Sequence, residues 1–238
     1  MKAILLAAGV GSRIAEDIGM VPKSTLEVEG KPLILHTVEL LQKNHIEVVI
    51  ITGFKHRIIE EIIKDYNVRI YYNPFYRVTN SIGSLWYARD EFYNTNEILI
   101  ANADVYYNQE MLDKIFSSEY DQFLLEDKSR AGSGDYFFYS PDGILRNYGK
   151  ELRPDERDSE YVGIGVLRKK WIQKFRDRLC SMIEKGEYNL WWENVLYSMV
   201  DTDEIHTVDV DNIFWAELDT IEDYKKVQDY CRLLKEKE

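Results

Sequence analysis

The chain is poor in the residues and runs that mark several large classes of protein. Its two cysteines, Cys180 and Cys231, stand far apart in expected helices, without the Cys-x-x-Cys spacing of a zinc knuckle or a redox pair. They read as buried thiols in a reducing cytosol. The four histidines are scattered, with no His-Glu-x-x-His and no His-x-His, so a structural zinc site is not expected. No apolar run approaches the length of a membrane span, and Met1-Lys2-Ala3 leads straight into an expected strand. Neither a membrane partner nor a signal peptide is expected, and the protein reads as cytoplasmic. Basic clusters are missing too, and a net charge of −12 argues against a nucleic-acid partner. No GxxxxGK[ST] string occurs, and the GVGSRI stretch ends in Ile14 where a dinucleotide fingerprint needs a third glycine. Without repeats, low-complexity tracts or a separating linker, residues 1–238 read as one domain large enough for a substantial core.

What the chain does have is concentrated at its start. Ala3-Ile-Leu-Leu-Ala7 is a short apolar run fit for a buried strand, and it stops abruptly in Ala8-Gly9-Val-Gly11-Ser12-Arg13, with Pro22-Lys23 following. Small residues at 7–9 and 11 let backbone N–H groups come close to a flat base or a phosphate. Arg13 and Lys23 add two cations. A strand, a glycine turn and cations together suit a nucleoside triphosphate; a plain glycine turn with exposed basic residues is the alternative.

The first half alternates strand and helix: strands at 2–7, 47–52, 68–72 and 97–101, helices at 33–43, 55–65 and 83–93. That order predicts an α/β fold with a mostly parallel sheet covered by helices on both faces and ligands beyond the carboxyl ends of the strands. The glycine loop and Asn102-Ala103-Asp104 both fall at such ends. Residues 1–120 read as the nucleotide-binding half and 121–238 as an acceptor-binding half. From 121 the pattern turns to shorter strands at 122–126, 135–140, 143–146 and 161–167, with loops at 127–134 and at 147–160, the latter long enough for a lid. Helices near 169–184 and 190–200, strands near 204–218 and a final helix from Thr220 complete the chain.

Two aspartates are candidates for a divalent metal. Asp104 follows an apolar strand among small residues, where a plain turn aspartate would look the same. Asp219 precedes the last helix; it has capping-box spacing to Glu222, while Thr220 has the same spacing to Asp223 and would leave Asp219 free for a metal.

The chain resembles bacterial nucleotidyltransferases, in particular the small cytidylyltransferases that act on phosphocholine and their relatives that act on 2-aminoethylphosphonate. The resemblance runs through LAAGVGSR, PKSTLEVEGKPLI, NSIGSLW, ANADVYY, EYVGIGVL, WWENVLY and WAELDTIEDY. It implies a Rossmann-like, GT-A-like fold with a small acceptor-binding lobe, and Mg2+ held by Asp104 and Asp219. It also implies CTP bound with Arg13 and Lys23 on its triphosphate. The base and ribose would lie against Leu6, Ala7, Ala8, Gly9, Gly11, Ser12, Asn80, Ser81, Ser84 and Ala103. One departure stands out: after Arg13 the family commonly has Leu and a Pro-Leu-Thr stretch, whereas this chain runs Ile14-Ala-Glu-Asp-Ile-Gly19.

The aromatic supply around Trp191-Trp192-Glu193, with Tyr161 and Trp215, suits an ammonium group, which aromatic faces and a carboxylate attract. Adjacent helical residues face about 100° apart, so at most one of the two tryptophans can point fully into a pocket; Trp192 is the one assigned. Gly163 and Gly165 would let backbone approach the acceptor phosphate, or mark a strand bulge. Tyr161, Gly163, Trp192, Glu193 and Trp215 thus form the expected acceptor site, for phosphocholine first. The alternatives are an aminoalkylphosphonate, inositol phosphate, phosphoglutamine or a sugar 1-phosphate. A non-catalytic nucleotide-binding module is the reading from another class. The residues leave CTP and UTP undivided, and a homodimer is compatible with them.

Overall fold

The computed structural model describes residues 1–11, 14 and 19–236, so Ser12 and Arg13 of the expected nucleotide site lie outside the described residues. The chain runs β1 (Lys2–Ala7), a 3₁₀ turn (Lys23–Thr25), β2 (Glu27–Val28), β3 (Lys31–Pro32), α1 (Leu33–Lys43), β4 (Glu47–Thr52), α2 (His56–Ile63) and β5 (Val68–Tyr72). It continues through α3 (Ser81–Tyr87), β6 (Glu97–Asn102), β7 (Val105–Tyr106), α4 (Gln109–Ser117), β8 (Gln122–Asp127), β9 (Phe137–Tyr139), β10 (Asn147–Gly149) and β11 (Ser159–Arg168). The last elements are α5 (Lys170–Glu184), α6 (Asn194–Tyr197), β12 (His206–Asp209), β13 (Ala216–Glu217) and α7 (Ile221–Lys235).

Among the described residues nine strands form one sheet, in the order β10-β9-β11-β6-β1-β4-β5, with β8 also pairing β11 and β12 pairing β8. The strands β6, β1, β4 and β5 are mutually parallel, and β11 turns the sheet antiparallel by pairing with β6. Alternation along the parallel strands explains why both faces are covered. Ala3, Leu5, Val48, Ile50, Leu99 and Ala101 point to one face, where Ile34, Val38 and Leu41 of α1, Ile59 and Ile63 of α2, and Met111 and Ile115 of α4 pack. Ile4, Val49, Ile51, Ile98 and Ile100 point to the other, beneath Ile82 and Leu85 of α3 and Phe175 and Leu179 of α5. A third, smaller core joins α7 to the β2–β3 hairpin through Val28, Leu33, Tyr106, Leu218 and Val227. Among the described residues no helix is long and apolar enough to cross a membrane.

Several expected boundaries move. The segment 143–146 is not a strand: Pro141–Gly143 is a 3₁₀ turn with Asp142 at φ 58°, and Ile144 makes only an isolated bridge to His206. Pairing resumes in β10, so 147–160 is not one long loop. The helix expected at 83–93 starts earlier, capped by Asn80, and gives way at Ala88 to a 3₁₀ turn. Of 190–200, only Asn194–Tyr197 is α-helical.

That 3₁₀ turn carries a buried charge cluster that ties the amino ends of the strands together. Lys2 Nζ lies 2.6 Å from Glu91 Oε2 and donates also to the Glu91 carbonyl at 3.0 Å. Arg69 pairs with the same carboxylate, and the Tyr71 hydroxyl donates to Oε1 at 2.7 Å. Burial pushes the Glu91 pKa up, but Arg69, Lys2 and Tyr71 outweigh it and hold the group at about 2. Replacing Glu91 with Gln is expected to cost about 3 kcal/mol in urea denaturation at neutral pH, because Lys2 is left buried without its counter-charge. The folded pKa is depressed from an ordinary 4.5 to about 2, so the charge-dependent stabilisation is complete above 4.5 and is lost as pH falls through that window. The stability gap between wild type and E91Q should close across it; a gap unchanged to the bottom of the window would show that the charge of Glu91 is not what the cluster uses.

Candidate active site

The carboxyl ends of β1, β4 and β6 meet under the glycine loop. Ala103 N–H donates to the Leu6 carbonyl at 3.1 Å, and Phe54 N–H donates to the Ala8 carbonyl at 3.1 Å, so the loop after β1 is pinned from both sides. Gly53 allows this approach, since a Cβ there would sit 2.7 Å from the Ala8 oxygen. Gly11 has φ +66°, and a Cβ on it would fall 2.7 Å from Lys23 Cγ. The glycine therefore supplies both the left-handed turn and the space through which the Lys23 stem enters the site.

Opposite this loop three carboxylates converge. β7 pairs antiparallel with β13, with Glu217 opposite Val105, and Leu218 N–H extends the ladder to the Asp104 carbonyl at 2.9 Å. Carboxylate oxygens of Asp104, Glu217 and Asp219 consequently lie within 4.8 Å of one another. Thr220 caps α7 in a reciprocal box with Asp223, which decides the capping question left open at Asp219. Glu217 was not among the expected site residues. Its signal is the i, i+2 spacing to Asp219, which in an extended segment puts both on one face while Leu218 turns into the third core.

Lys23 sits among these acids, paired with Asp219 and 3.6 Å from Asp104. Burial works against its charge, yet Asp104 and Asp219 hold its pKa above the ordinary value. Burial pushes Asp104 up, with Asp219 adding to it and Lys23 opposing. Glu217 is driven well above its usual range by burial and then by the two aspartates. Three carboxyl groups around a single ammonium, two of them with pKa raised by burial and by their acidic neighbours, crowd hard oxygen donors into one place, and that donor set fits a divalent cation such as Mg2+.

The acids and the glycine loop face a common cleft of about 410 Å³, the size of a small-molecule site. Of the expected nucleotide and metal residues, Leu6, Ala7, Ala8, Gly9, Gly11, Asn80, Ser81, Ser84, Ala103, Lys23, Asp104 and Asp219 all line it. The start of α3 is held there by the segment before α6: Asn80 N–H donates to the Tyr188 carbonyl at 3.0 Å, and Trp192 N–H donates to Ser81 Oγ at 2.8 Å.

A smaller cavity of about 120 Å³ adjoins the cleft and shares Asn102, Trp191, Glu193 and Glu217 with it. Tyr161, Gly163 and Glu193 of the expected acceptor set line this cavity; Trp192 and Trp215 do not. Trp192 is fully buried, its Nε1 donating to Asn102 Oδ1 at 3.3 Å and its ring lying against Gly165, where a Cβ would meet it at 2.8 Å. Trp215 is likewise buried, donating to Asp127 Oδ2 at 2.8 Å beneath the Arg130 guanidinium. The tryptophan at the cavity is Trp191, 42% exposed and edge-on to Tyr136 at 5.5 Å. The choice of Trp192 thus fails on direction: it faces the core, so its neighbour faces the site. Gly163, at φ +86°, belongs to a bulge in β11 between Tyr161 and Gly165 and also forms part of the cavity wall. Glu193 is 6% exposed, and its Oε2 and the hydroxyls of Tyr161 and Tyr197 have no hydrogen-bond partner among the described residues. Burial pushes Glu193 up to about 7, with the Tyr161 hydroxyl and Asn102 amide beside it pulling the other way.

Known proteins share this fold. Residues 3–146 match the model of the MobA-like NTP transferase domain. The choline-phosphate cytidylyltransferase of Streptococcus pneumoniae is 26% identical over 98% of this chain and 99% of its own. The CTP:phosphoglutamine cytidylyltransferase of Campylobacter jejuni is 23% identical over 94% of this chain and 97% of its own. Among solved structures, the CTP:phosphocholine cytidylyltransferase of S. pneumoniae superposes with a TM-score of 0.75 at 22% identity, covering 96% of this chain and 98% of that one. The inositol-1-phosphate CTP transferase of T. maritima gives 0.76 at 20% identity, covering 97% and 96%. With more than half its length inside the family model, the chain belongs to the MobA-like NTP transferase family and is a nucleotidyltransferase.

Proposed function

We propose that the protein transfers the cytidylyl group of CTP, with Mg2+, to a phosphorylated amino-alcohol, phosphocholine before others, releasing pyrophosphate. The observation that carries this reading is the juxtaposition of two cavities: a cleft with Lys23 and three carboxylates, opening onto an aromatic chamber that holds a buried, unpartnered Glu193 oxygen. The faces of Tyr136, Tyr161 and Trp191 suit a quaternary or primary ammonium, and so does the Glu193 carboxyl, whose charged form a bound cation would favour. The acceptor phosphate would then lie toward Asn102 and Glu217, which the two cavities share. The choice of CTP rests on the relatives that carry that name.

In the reaction, an oxygen of the acceptor phosphate forms a bond to the α-phosphorus as the bond to pyrophosphate breaks. The nucleophile is already an anion near neutral pH, so no side chain has to remove a proton; the difficulty is to bring anions together in line. Lys23, pre-positioned among Asp104 and Asp219, supplies a fixed cation for the triphosphate, with Arg13 as the second cation. Asp104, Glu217 and Asp219 would hold Mg2+, which supplies charge neutralisation at the phosphate oxygens. The small residues of the glycine loop, with Asn80, Ser81 and Ser84 across the cleft, would receive base and ribose.

Pyrophosphate release, measured with Mg2+ and each of five nucleotides against phosphocholine, phosphoethanolamine, 2-aminoethylphosphonate, phosphoglutamine, inositol phosphate and glucose 1-phosphate, tests the reading directly. Turnover confined to CTP and the ammonium-bearing acceptors supports it. CTP turnover with an uncharged acceptor alone keeps the chemistry and overturns the role given to the aromatic chamber. Nucleotide binding without pyrophosphate release in any combination would favour a binding module.

Replacing Lys23 with Ala is expected to lower kcat by about 10²–10³-fold, the usual cost of removing one preorganised electrostatic contact to a transition state. Turnover within a few-fold of wild type would remove Lys23 from the mechanism. Replacing Trp191 with Ala is expected to raise KM for phosphocholine about tenfold with little change in kcat, since a desolvated cation–π contact contributes about 1–2 kcal/mol. An unchanged KM would place the ammonium elsewhere.

A further inference from the structure

The β2–β3 hairpin follows directly on the segment that carries Lys23, and its two-residue turn is Glu29-Gly30. Both residues are left-handed, with φ +54° and +82°. Such turns favour Asn-Gly or Asp-Gly, and a glutamate held at positive φ is an unfavourable choice for the turn alone. Its side chain accounts for the exception. The Tyr106 hydroxyl donates to Glu29 Oε1 at 2.8 Å, the Cys231 thiol lies 3.7 Å from the same oxygen, and His36 Nδ1 lies 3.5 Å from Oε2. His36 stacks on the Tyr106 ring at 5.0 Å, and its Nε2 sits 3.1 Å from the Tyr107 carbonyl. The neighbouring strand is tied to the same helix, Tyr224 donating to the Glu27 carbonyl at 2.8 Å. The His36 contact, working against burial and joined by the Tyr106 hydroxyl, holds Glu29 at about 2, so it remains ionised and an acceptor.

Tyr106 is the β7 residue opposite Ala216, Cys231 lies on α7, and the Glu29 hairpin is continuous with Lys23. The three pieces of chain that bring Asp104, Glu217 with Asp219, and Lys23 to the cleft therefore meet at one carboxylate. We propose that Glu29 is a positioning residue of the transfer site: through the Tyr106 hydroxyl and α7 it sets the β7–β13 ladder, and with it the three carboxylates, relative to Lys23. The inference rests on the metal-dependent reading above. Slack in the ladder spreads the acids and weakens the metal site, while the glycine loop and α3 are untouched.

The test is Mn2+ affinity, followed by the loss of the free-ion electron paramagnetic resonance signal with CTP present, in wild type, Tyr106→Phe, Glu29→Ala, Glu29→Gln and Tyr106→Phe/Glu29→Ala. Tyr106→Phe keeps the buried ring and removes only the hydroxyl. Neither side chain touches the three acids, and positions that act through packed neighbours commonly modulate a site by about two- to thirtyfold, so Tyr106→Phe and Glu29→Ala should each weaken Mn2+ about fivefold. The double variant should bind no worse than either single one, because both break the same link. Glu29→Gln, whose amide oxygen still accepts from Tyr106, should recover most of the affinity. Folded variants with a lowered melting temperature but wild-type Mn2+ affinity would overturn the proposal, as would additive losses in the double variant. Wild-type protein that binds Mn2+ but turns over no substrate pair would overturn the reaction and leave the positioning result intact.

Discussion

The repulsion among Asp104, Glu217 and Asp219 is the constraint around which the site is built. Two unit charges about 4 Å apart still interact by about 4 kcal/mol at an effective dielectric of about 20, and three acids at such distances will separate unless something opposes them. One opposing agent is charge, from Lys23. The other is covalent and hydrogen-bonded geometry. Two strand residues on each side, extended by Leu218 to Asp104, fix the backbone of all three acids. Leu218 and Tyr106, buried in the third core, anchor that short ladder so that the repulsion cannot peel it apart. The capping box at Thr220 contributes in the same sense by starting α7 immediately after Asp219.

The remaining parts of the cleft follow from the parallel sheet. Strands buried on both faces must end where their covering helices begin, and the loops at those ends are free to be glycine-rich and polar. The glycine loop after β1 and the Asn102–Asp104 segment after β6 leave adjacent strands at the same edge, so a ligand held by one touches the other. The antiparallel pairing of β11 with β6 places the bulge at Gly163 beside Asn102 and Val105. The second cavity lies where the parallel half of the sheet meets the antiparallel half.

Much of this is legible in the residues, for definite physical reasons. β1, β4, β6 and the helices between them announce themselves because elements covered on both sides or along one stripe leave long periodic signals, as in Ile59 and Ile63 of α2, whereas Ile58 of the same run is exposed and β5 is a half-exposed edge strand. Asp104 and Lys23 could be placed in one cleft because strand order alone puts their loops together. What escapes is everything set by short or irregular structure. β7 and β13 are two residues each, too short for periodicity to reveal their pairing, so the spacing of Glu217 to Asp219 hints at a shared face but not at Asp104 opposite them. The strand expected at 143–146 reads apolar and extended, but Asp142 and Gly143 at positive φ turn the chain, and pairing is delayed to Asn147. Whether Trp191 or Trp192 enters the cavity depends on a bond from Trp192 N–H to Ser81, 111 residues away, which no local pattern contains.

The unpaired groups of the second cavity are best understood against the rest of the fold. Other buried carboxylates are met by donors or cations: Glu91 by Lys2, Arg69 and Tyr71, Asp127 by Ser129 and Trp215, and one oxygen of Glu126 by Ser140 and Ser159. Glu193 Oε2, Tyr161 and Tyr197 are left without partners at a single wall, and burying such groups unpaired costs free energy that the fold does not recover locally. A ligand that brings a positive charge to that wall relieves the cost on binding, and the relief is available only to a ligand of matching charge. In the proposed reaction this makes the acceptor cavity selective through what it leaves unsatisfied, while the catalytic cleft next to it works through charges already paired. Glu217, which lines both, is where the two requirements meet.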